Sequence, residues 1–308
     1  MPGFENHAGF SISDSKLQVV EVNFLNDQFR LVNVDEIAFD EKINFEVDNE
    51  IKISALIQGA FGKLQNKKKL NSKLVSFTLP PELFYLMQIP YDNSLLYQDL
   101  LEEFKWELTV LYPFVNQKDL VLQYLEIEKN SFIDVNMALV FAMQRKYLQI
   151  LDSFCNNNNL KLKFVDHVHI AAERSLSISN AINYKGLTLS VYLNQRFISM
   201  FFAFNSKPLS FKVIPLIDAS EITDHLIKET SGSNILKIER SQIEAAFIFG
   251  EGVTNNLITT LKKVLGLDFI AFNPFDKIRP LPELYESKLY LEKYNSFASA
   301  AGIAYRIS

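Results

Sequence analysis

The sequence has 308 residues, a length that suits two lobes better than one small core. Hydrophobic residues make up 48% of it and include 26 Phe and 12 Tyr, so an intrinsically disordered chain is excluded. The formal net charge is -5 and the densest basic run is residues 67–69, so the sequence lacks the basic surface that binds nucleic acid.

The expected compartment follows from the cysteine content and the apolar pattern. Cys155 is the single cysteine, so an internal disulfide is excluded and a reducing compartment is favoured. The first residues carry no secretory signal pattern, and no apolar run approaches the ~20 residues that cross a bilayer. We therefore expect a cytoplasmic protein without a membrane span, with Cys155 as a small buried residue near a helix end.

The N-terminal part of the sequence predicts three strands followed by a helix. Residues 9–25 alternate apolar and polar side chains around the polar segment 13–16, which is a hairpin pattern. Residues 28–37 form the third candidate strand. Residues 51–65 carry apolar side chains at helical spacing, so a helix follows the strands.

The segment from residue 74 to 155 predicts a second, mixed unit. Two prolines close its first strand, and the apolar face of a long helix ends before Pro113. The asparagine run 156–159 ends its last helix. In chain order, the predicted elements are a strand at 73–80, a helix at 96–111, strands at 119–127 and 132–142, and a helix at 146–154.

The C-terminal half repeats the opening arrangement. After Gly186, three strand patterns rich in aromatic and β-branched residues precede a helix. This second three-strand meander with a helix favours a duplicated α/β fold with two similar lobes. In chain order, the predicted elements are a strand at 160–168, a helix at 170–182, strands at 187–193, 197–204 and 208–215, helices at 221–229 and 240–246, a strand at 247–249, and helices at 254–265 and 296–306.

The sequence offers few candidates for other chemistry. Asp166, His167 and His169 lie close together, and a His-x-His pair on a strand can bind zinc. A third protein ligand is not evident, so we favour packing or surface histidines. No Gly-x-Ser-x-Gly string indicates a catalytic serine, and Glu102 and Glu103 beside Lys105 indicate a solvated helix face.

Two aromatic stretches fit either a core or a partner surface. Residues 201–204 favour the core of a strand, because strand cores commonly look like this. Residues 84–87 come just after Pro80 and Pro81, where a loop is expected, and they fit both interpretations equally.

The order of these elements and several strings resemble the PilM family, actin-like cytoplasmic proteins of type IV pilus assembly that are related in fold to the FtsA division proteins. The resemblance covers nearly the whole chain. It implies an α/β, actin-like (ribonuclease H-like) fold of two lobes with an inserted α+β subdomain. The strings are FSISDSKLQVVEV, VSFTLPPELFYLMQIPY, VDHVHIAAERSL, NPFDKI and FASAAGIAYR.

The resemblance also implies a division of the chain in which the lobes interleave. The inserted subdomain, called 1C, would be residues 74–155. The second lobe, 2A, would be residues 186–284, with a small 2B part near 216–246. The first lobe, 1A, would comprise residues 1–73, 156–185 and 285–308.

Proteins of this fold hold ATP and magnesium between two hairpins, and each hairpin offers an Asp to the metal and a Gly beside the phosphates. On the first hairpin of this sequence, Ser11 takes the Asp position, Ser13 the Gly position and Gln18 the position of a following Lys. On the second hairpin, these positions hold Tyr192 and Asn194. Ser and Tyr offer magnesium no carboxylate, so the resemblance implies a degenerate site that does not hydrolyse ATP.

Two features leave nucleotide binding itself open. The glycine pair that seats adenine in this fold corresponds to Gly250, Glu251 and Gly252, although the charge of Glu251 disfavours a triphosphate. In another register of the first hairpin, Asp14 becomes the metal carboxylate. We predict no cofactor, metal or catalytic residue, and keep as the alternative an active magnesium-ATP switch, ATPase or kinase.

The function that the resemblance implies is that of a scaffold. PilM-like proteins hold the N-terminal cytoplasmic tail of PilN, a single-span inner-membrane protein, in a groove between the first lobe and the inserted subdomain 74–155. The sequence marks no individual groove residues. We expect a cytoplasmic adaptor of a type IV pilus or related secretion machine that reaches the inner membrane through PilN-like and other partners.

Overall fold

The computed structural model describes residues 6–25, 28–178, 184–218, 220–232 and 236–306. The chain alternates between two compact units. Unit 1 consists of Met1–Leu83, Lys146–Ala181 and Phe272–Ser308, and unit 2 consists of Phe84–Arg145 and Ile182–Ala271.

Unit 1 is built on a mixed sheet of six strands. These strands are β1 (His7–Ile12), β2 (Lys16–Leu25), β3 (Gln28–Ala38), β4 (Leu74–Leu79), β8 (Lys161–His167) and β14 (Arg279–Pro280). Their spatial order is β14-β3-β2-β1-β4-β8. The first three strands form an antiparallel meander, and β4 and β8 extend the sheet by parallel pairing beside β1.

Helices cover the sheet of unit 1. They are α1 (Glu50–Lys67), α3 (Arg145–Asn157, in unit 1 from its second residue), α4 (Val168–Ile178), α7 (Lys288–Glu292) and α8 (Ala298–Ala304). Asn49 caps α1, because its side chain accepts a hydrogen bond from Lys52 N at 2.9 Å. The ring of Phe61 on α1 then packs edge-on against Phe10 of β1 and Phe154 of α3, at centroid distances of 6.0 and 5.1 Å.

The short helix α8 lies against β1 and α4 at backbone contact distance. A side chain at Gly302 would overlap the Ala171 carbonyl group of α4. A side chain at Gly9 would overlap the Ala300 carbonyl group of α8. All seven residues of α8 are buried. The two glycines therefore allow an approach that any larger residue would prevent.

A buried histidine joins four elements of unit 1. His7 Nδ1 lies 2.9 Å from Ala304 O, and a carbonyl oxygen only accepts, so Nδ1 carries the proton. His7 Nε2 then accepts from Ser76 Oγ at 2.8 Å, and Ser76 Oγ accepts from Phe164 N at 3.1 Å. This chain of hydrogen bonds links β8, β4, β1 and α8.

Unit 2 contains two sheets. The larger one has β9 (Leu187–Leu193), β10 (Phe197–Phe204), β11 (Lys207–Pro215), β12 (Ile243–Gly250) and β13 (Phe269–Ala271), in the order β11-β10-β9-β12-β13. The smaller one has β5 (Phe84–Pro90), β6 (Leu120–Ile127) and β7 (Met137–Gln144), in the order β5-β7-β6. The helices of unit 2 in the described chain are α2 (Tyr97–Leu111), α5 (Glu221–Glu229) and α6 (Asn255–Leu265).

Polar and aromatic contacts tie the smaller sheet of unit 2 to β11. Gln88 Nε2 donates to Leu209 O at 3.1 Å. The rings of Phe141 and Phe211 lie 5.5 Å apart. Because these contacts connect β5 and β7 with β11, the two sheets belong to one packed body.

The repeated meander predicted from the sequence is confirmed. β1, β2 and β3 pair antiparallel in unit 1 before α1, and β9, β10 and β11 pair antiparallel in unit 2 before α5. The predicted core position of residues 201–204 is also confirmed for three of the four side chains, since Phe201, Phe202 and Ala203 are buried. The loop expected at 84–87 is wrong, because these residues belong to strand β5, which pairs with β7, and of their side chains Met87 is buried.

The helix predicted at 240–246 is wrong. A 3-10 turn occupies Arg240–Gln242, and the following residues belong to β12, which lies between β9 and β13 with parallel pairing to both. The last six residues of β12 are buried. A parallel strand that is buried on both faces shows no apolar-polar alternation. Ala245 and Ala246 also have a high helix propensity, so the local pattern favours a helix here.

Other element boundaries also differ from the sequence prediction, and three of them show how. The strand predicted at 132–142 begins only at Met137. The helix predicted at 170–182 begins at Val168, and its predicted end lies outside the described residues. The helix predicted at 296–306 is shorter, because a 3-10 turn at Tyr294–Phe297 precedes α8. Element ends fray and change helix type, so such ends carry the weakest sequence signal.

Strand pairing bears on the predicted division of the chain. β4, the first strand of the predicted 74–155 subdomain, pairs with β1 and β8 in the sheet of unit 1. β14, inside the predicted second lobe 186–284, pairs with β3 of the same sheet. The compact units therefore change at residues 83/84 and 271/272, because hydrogen bonding in the sheet decides where these two strands belong.

Candidate functional site

The first hairpin turn, between β1 and β2, is closed by its own serine. Ser13 N donates to Lys16 O at 3.0 Å. Ser13 Oγ then accepts from the backbone amides of Ser15 and Lys16, each at 3.2 Å. The side chain at the position where the actin-like pattern expects a glycine therefore satisfies the amides of the turn.

The second hairpin turn, between β9 and β10, has the same arrangement. Asn194 N donates to Phe197 O at 3.1 Å. Asn194 Oδ1 accepts from Arg196 N at 2.9 Å and from Phe197 N at 2.6 Å. Both hairpins thus carry an internal acceptor, although they lie in different units.

These internal acceptors decide how well each turn suits a phosphate. A phosphate bound to a backbone turn needs amide groups that are free to donate to it. In both turns, two amides already donate to a side-chain oxygen of the turn itself. A phosphate would have to displace Ser13 Oγ in the first turn or Asn194 Oδ1 in the second.

Ser11 and Gln18 face each other across β1 and β2, and both are buried. Gln18 Nε2 donates to Glu36 Oε2 at 3.1 Å and to Ser296 Oγ at 3.2 Å. Glu36 also forms ion pairs of 2.9 Å with Lys16 and with Lys293. The position of the family's lysine is therefore occupied by a glutamine within a cluster around Glu36.

Glu36 is ionised in this cluster. Burial by itself would raise the pKa of Glu36, but hydrogen bonds from Lys16, Lys293 and Gln18 outweigh it and lower the pKa to about 2. Two lysines beside the first hairpin therefore already have an internal anion as their partner. The sequence prediction did not include Glu36. The signal that identifies it is the pairing of β2 with β3, which places Glu36 opposite Gln18.

Tyr192 lies inside the sheet of unit 2. It is buried, and its ring lies 6.1 Å from that of Phe249, its register partner on β12. The side chain is a phenol where the resemblance implies a carboxylate, so Tyr192 offers a hard cation no carboxylate ligand.

The glycine pair forms the turn from β12 into α6. Gly250 has a φ of 106°, and a side chain there would overlap the backbone of Leu193. Glu251 N donates to Leu193 O at 2.7 Å. Gly252 has a φ of 79°, and Thr254 then caps α6. Both glycines are explained by the geometry of this turn.

Asp14, the alternative metal carboxylate, lies in the first turn beside Lys42, with its Oδ2 3.9 Å from Lys42 Nζ. Its carbonyl oxygen accepts from Ile43 N at 2.7 Å. Within the described ranges, no group of three or more His, Cys, Asp or Glu side chains could hold a metal ion. The residues at the predicted positions therefore do not fit the magnesium-ATP set of the fold.

The histidine pair is packed in the core of unit 1. Asp166 forms ion pairs with Arg174 at 3.0 Å and Arg306 at 2.6 Å, so it does not join the histidines. Burial lowers the pKa of His169 to about 3 and also lowers the pKa of His167, to which His169 adds a smaller effect. Neutral, buried imidazoles agree with the packing interpretation.

Cys155 and the Glu102–Lys105 pair also lie where the sequence prediction put them. Burial raises the pKa of the Cys155 thiol to about 12, so the thiol stays protonated and unreactive. Glu102 Oε1 and Lys105 Nζ form an i,i+3 ion pair at 2.6 Å on the solvent side of α2.

Comparison with known proteins gives a likeness in structure. No protein-family model matches the sequence, and no curated protein matches it. The structure is similar to a chain of a PilM-PilN type IV pilus biogenesis complex, with a TM-score of 0.75, 17% identity and 97% of each chain covered. It is also similar to a Bacteroides thetaiotaomicron protein with actin-like ATPase fold and unknown function, with a TM-score of 0.57, 11% identity, and 99% of this chain and 97% of that chain covered.

These likenesses define the class of protein: the chain has the actin-like ATPase fold, and the fold class predicted from the sequence is confirmed. The predicted resemblance to PilM is confirmed at the level of the fold, over nearly the full length of both chains. Across the described parts of the sequence, no helix combines the length and apolarity that spanning a membrane requires.

Proposed function

We propose that this protein is an actin-like scaffold of a type IV pilus or a related secretion machine, and that it works without hydrolysing ATP. Its partner would be the N-terminal cytoplasmic tail of a PilN-like inner-membrane protein. It would act on the cytoplasmic side of the inner membrane, where it is held by this and other components of the machine. The observation that carries the proposal is the internal capping of both hairpin turns by Ser13 and Asn194 in an actin-like fold.

The structural similarity supports the choice of partner. The similar chain comes from a complex whose printed description names both PilM and PilN. Because the similarity covers 97% of both chains, no large part of either is left without a counterpart. We therefore infer a tail-binding role for this chain from a protein of the same fold.

The chemistry of the two turns supports a role without catalysis. Magnesium needs charged oxygen ligands, and Ser11 and Tyr192 supply none. Phosphates need free amides, and those of the turns are already bonded to Ser13 and Asn194. The missing carboxylates remove magnesium binding, and the bonded turn amides remove phosphate binding. Restoring one of these features alone would therefore not restore ATP hydrolysis.

One observation favours a second candidate, a nucleotide-responsive switch. The turn at Gly250 and Gly252 keeps its two glycines and precedes α6, as a purine-binding turn of this fold would. Nucleotide could bind there without hydrolysis. Asp14 lies in the first turn itself, beside Lys42, and is the carboxylate that an active enzyme would use as its metal ligand.

The decisive experiment is a pulldown and titration calorimetry with the full chain. The probe is the N-terminal cytoplasmic tail peptide of a PilN-like single-span membrane protein, with a shuffled peptide as the matched control. We expect equal binding of the tail with and without magnesium-ATP, and no phosphate release. Binding that requires ATP, or hydrolysis that Asp14→Ala abolishes, would favour the enzyme or switch.

A further inference from the structure

The helix α2 presents a continuous stripe to solvent. Asp99, Glu103, Trp106 and Val110 are spaced by four, three and four residues, so they share one face of the helix. All four side chains are exposed. The buried residues of α2, Leu100, Phe104 and Leu108, lie in the core of unit 2 instead. The stripe is therefore not a part of the core.

The second half of the stripe is apolar. Trp106 is 58% exposed, Val110 57% and Leu111 55%, and Phe114 just beyond the helix is 78% exposed. The Phe114 ring is nevertheless held in place, with its centroid 6.3 Å from that of Tyr85 and 6.2 Å from that of Tyr112. Trp106 and Val110 are neighbours at i,i+4 on the helix, and adjacent exposed apolar side chains mark interaction sites, whereas single ones do not.

The first half of the stripe is acidic. The helix α2 carries four carboxylates and one lysine, a net charge of -3. The lysine, Lys105, is already paired with Glu102. Asp99 and Glu103 therefore present negative charge directly next to Trp106 on the same face.

We propose that this α2 stripe binds a basic amphipathic helix of a partner protein. Apolar side chains of the partner would cover Trp106, Val110 and Phe114, and its lysines or arginines would pair with Asp99 and Glu103. Helices commonly dock by placing one apolar face on such a surface, and charge complementarity selects among possible partners. The stripe is defined on α2 itself, so the proposal stands apart from the tail-binding function.

Charge separates this partner from two other occupants. The acidic half would be repelled by anionic lipid headgroups, which attract basic segments instead. The α2 stripe of a second copy carries the same acids and offers no matching basic charge. A basic helix is the occupant that satisfies both halves.

The experiment measures the fluorescence emission of Trp106, which is the single tryptophan of the sequence and lies on the proposed binding surface. The probe is a leucine-lysine peptide with amphipathic helical spacing, about four turns long. The control is a peptide of the same composition in shuffled order. With the full chain, we expect a saturable blue shift of Trp106 emission for the amphipathic peptide, weakened by added salt.

Two matched pairs of variants locate the binding surface. Asp99→Lys combined with Glu103→Lys should weaken peptide affinity by about tenfold or more, whereas Glu286→Lys combined with Glu292→Lys, an equal charge change at exposed positions elsewhere, should not. Phe114→Ala should weaken affinity by a similar factor, whereas Ile217→Ala, at a side chain that is 94% exposed elsewhere, should leave it unchanged. Circular dichroism of each variant checks that it folds.

Several outcomes would overturn the proposal. These are no shift with the amphipathic peptide, an equal shift with the shuffled peptide, a shift caused by vesicles of anionic phospholipid, and a shift caused by raising the protein concentration alone. Binding of the PilN-like tail is measured in the same variants with its own peptide, and it tests the proposed function separately. Failure of one proposal is therefore distinguishable from failure of the other.

Discussion

At the scale of single residues, Ser13 and Asn194 stand where the resemblance to the PilM family implies glycines, and their side chains complete the turns. Each supplies one oxygen that accepts two backbone amides. A turn built in this way is stabilised from within, and it gives up the donors that a phosphate would use. The same substitution therefore changes the stability of the turn and its ability to bind anions.

The first prediction concerns Ser13. Ser13→Ala leaves Ser15 N and Lys16 N without their acceptor, so we expect a loss of about 1 kcal/mol in the free energy of unfolding. Ser13→Thr keeps the oxygen and should lose much less. Urea unfolding of both variants measures the difference. Equal stability of the alanine and threonine variants would contradict the role of the hydroxyl group.

The second prediction concerns pH. Burial lowers the pKa of His7 from 6.5 to about 4. Between these values the unfolded chain binds a proton at this site that the folded chain does not, so stability falls as the pH falls. His7 alone should cost about 1.4 kcal/mol at pH 5.5 relative to pH 7.5.

The matched variant for this measurement is His7→Gln. Urea unfolding at a series of pH values should show a slope that is smaller by about one proton than in the natural chain. His167 and His169 still contribute to the pH dependence of stability in this variant, because burial lowers their pKa values too. A slope that does not change in His7→Gln would show that His7 is protonated in the folded protein.

At the scale of elements, the contact of α8 with α4 depends on one glycine. Gly302→Ala would push a methyl group into the Ala171 carbonyl group, so we expect a loss of about 1 to 3 kcal/mol or more in stability. Gly59 on α1 is the control, because an added methyl group there meets no atom within 4 Å. Gly59→Ala should stabilise the protein by up to about 1 kcal/mol. Thermal unfolding with similar midpoints for both variants would refute this account.

The elements that the sequence predicted well are those with a strong local period. The alternation in residues 9–25 and the apolar face of residues 96–111 correspond to β1, β2 and α2. Only residues 247–249 of β12 were predicted as a strand and its first residues as a helix, because a buried parallel strand has no alternation to detect. Position in the sheet decided its conformation, and a local pattern does not contain that information.

The candidate site shows the same limit. The resemblance located Ser13 and Asn194, since the hairpins have a local signature. The resemblance did not predict that these two side chains accept hydrogen bonds from the turn amides. It also did not predict that Glu36 forms ion pairs with Lys16 and Lys293. The ion pair between Glu36 and Lys293 joins residues 257 positions apart, and only the folded sheet brings them together.

At the scale of the whole molecule, the fold is that of an ATPase while the residues of the two turns do not suit ATP. A ligand that binds the folded state at a hundred times its dissociation constant stabilises it by about 2.7 kcal/mol. We therefore predict that millimolar magnesium-ATP leaves the unfolding temperature of the full chain unchanged. Differential scanning fluorimetry tests this, with magnesium alone as control. A rise that grows with ATP concentration would show that nucleotide binds.

The hydrogen bond between His7 and Ala304 joins residues 297 positions apart, and it has a consequence for biosynthesis. The strands β1 to β4 of unit 1 leave the ribosome early, but α8, which covers β1, is made only after unit 2 has been translated. During that interval the apolar surface that later meets Phe297 and Ala300 is bare. Nascent chains of this protein should therefore recruit chaperones until the final helix is released, and ribosome profiling of chaperone-bound nascent chains would show the window.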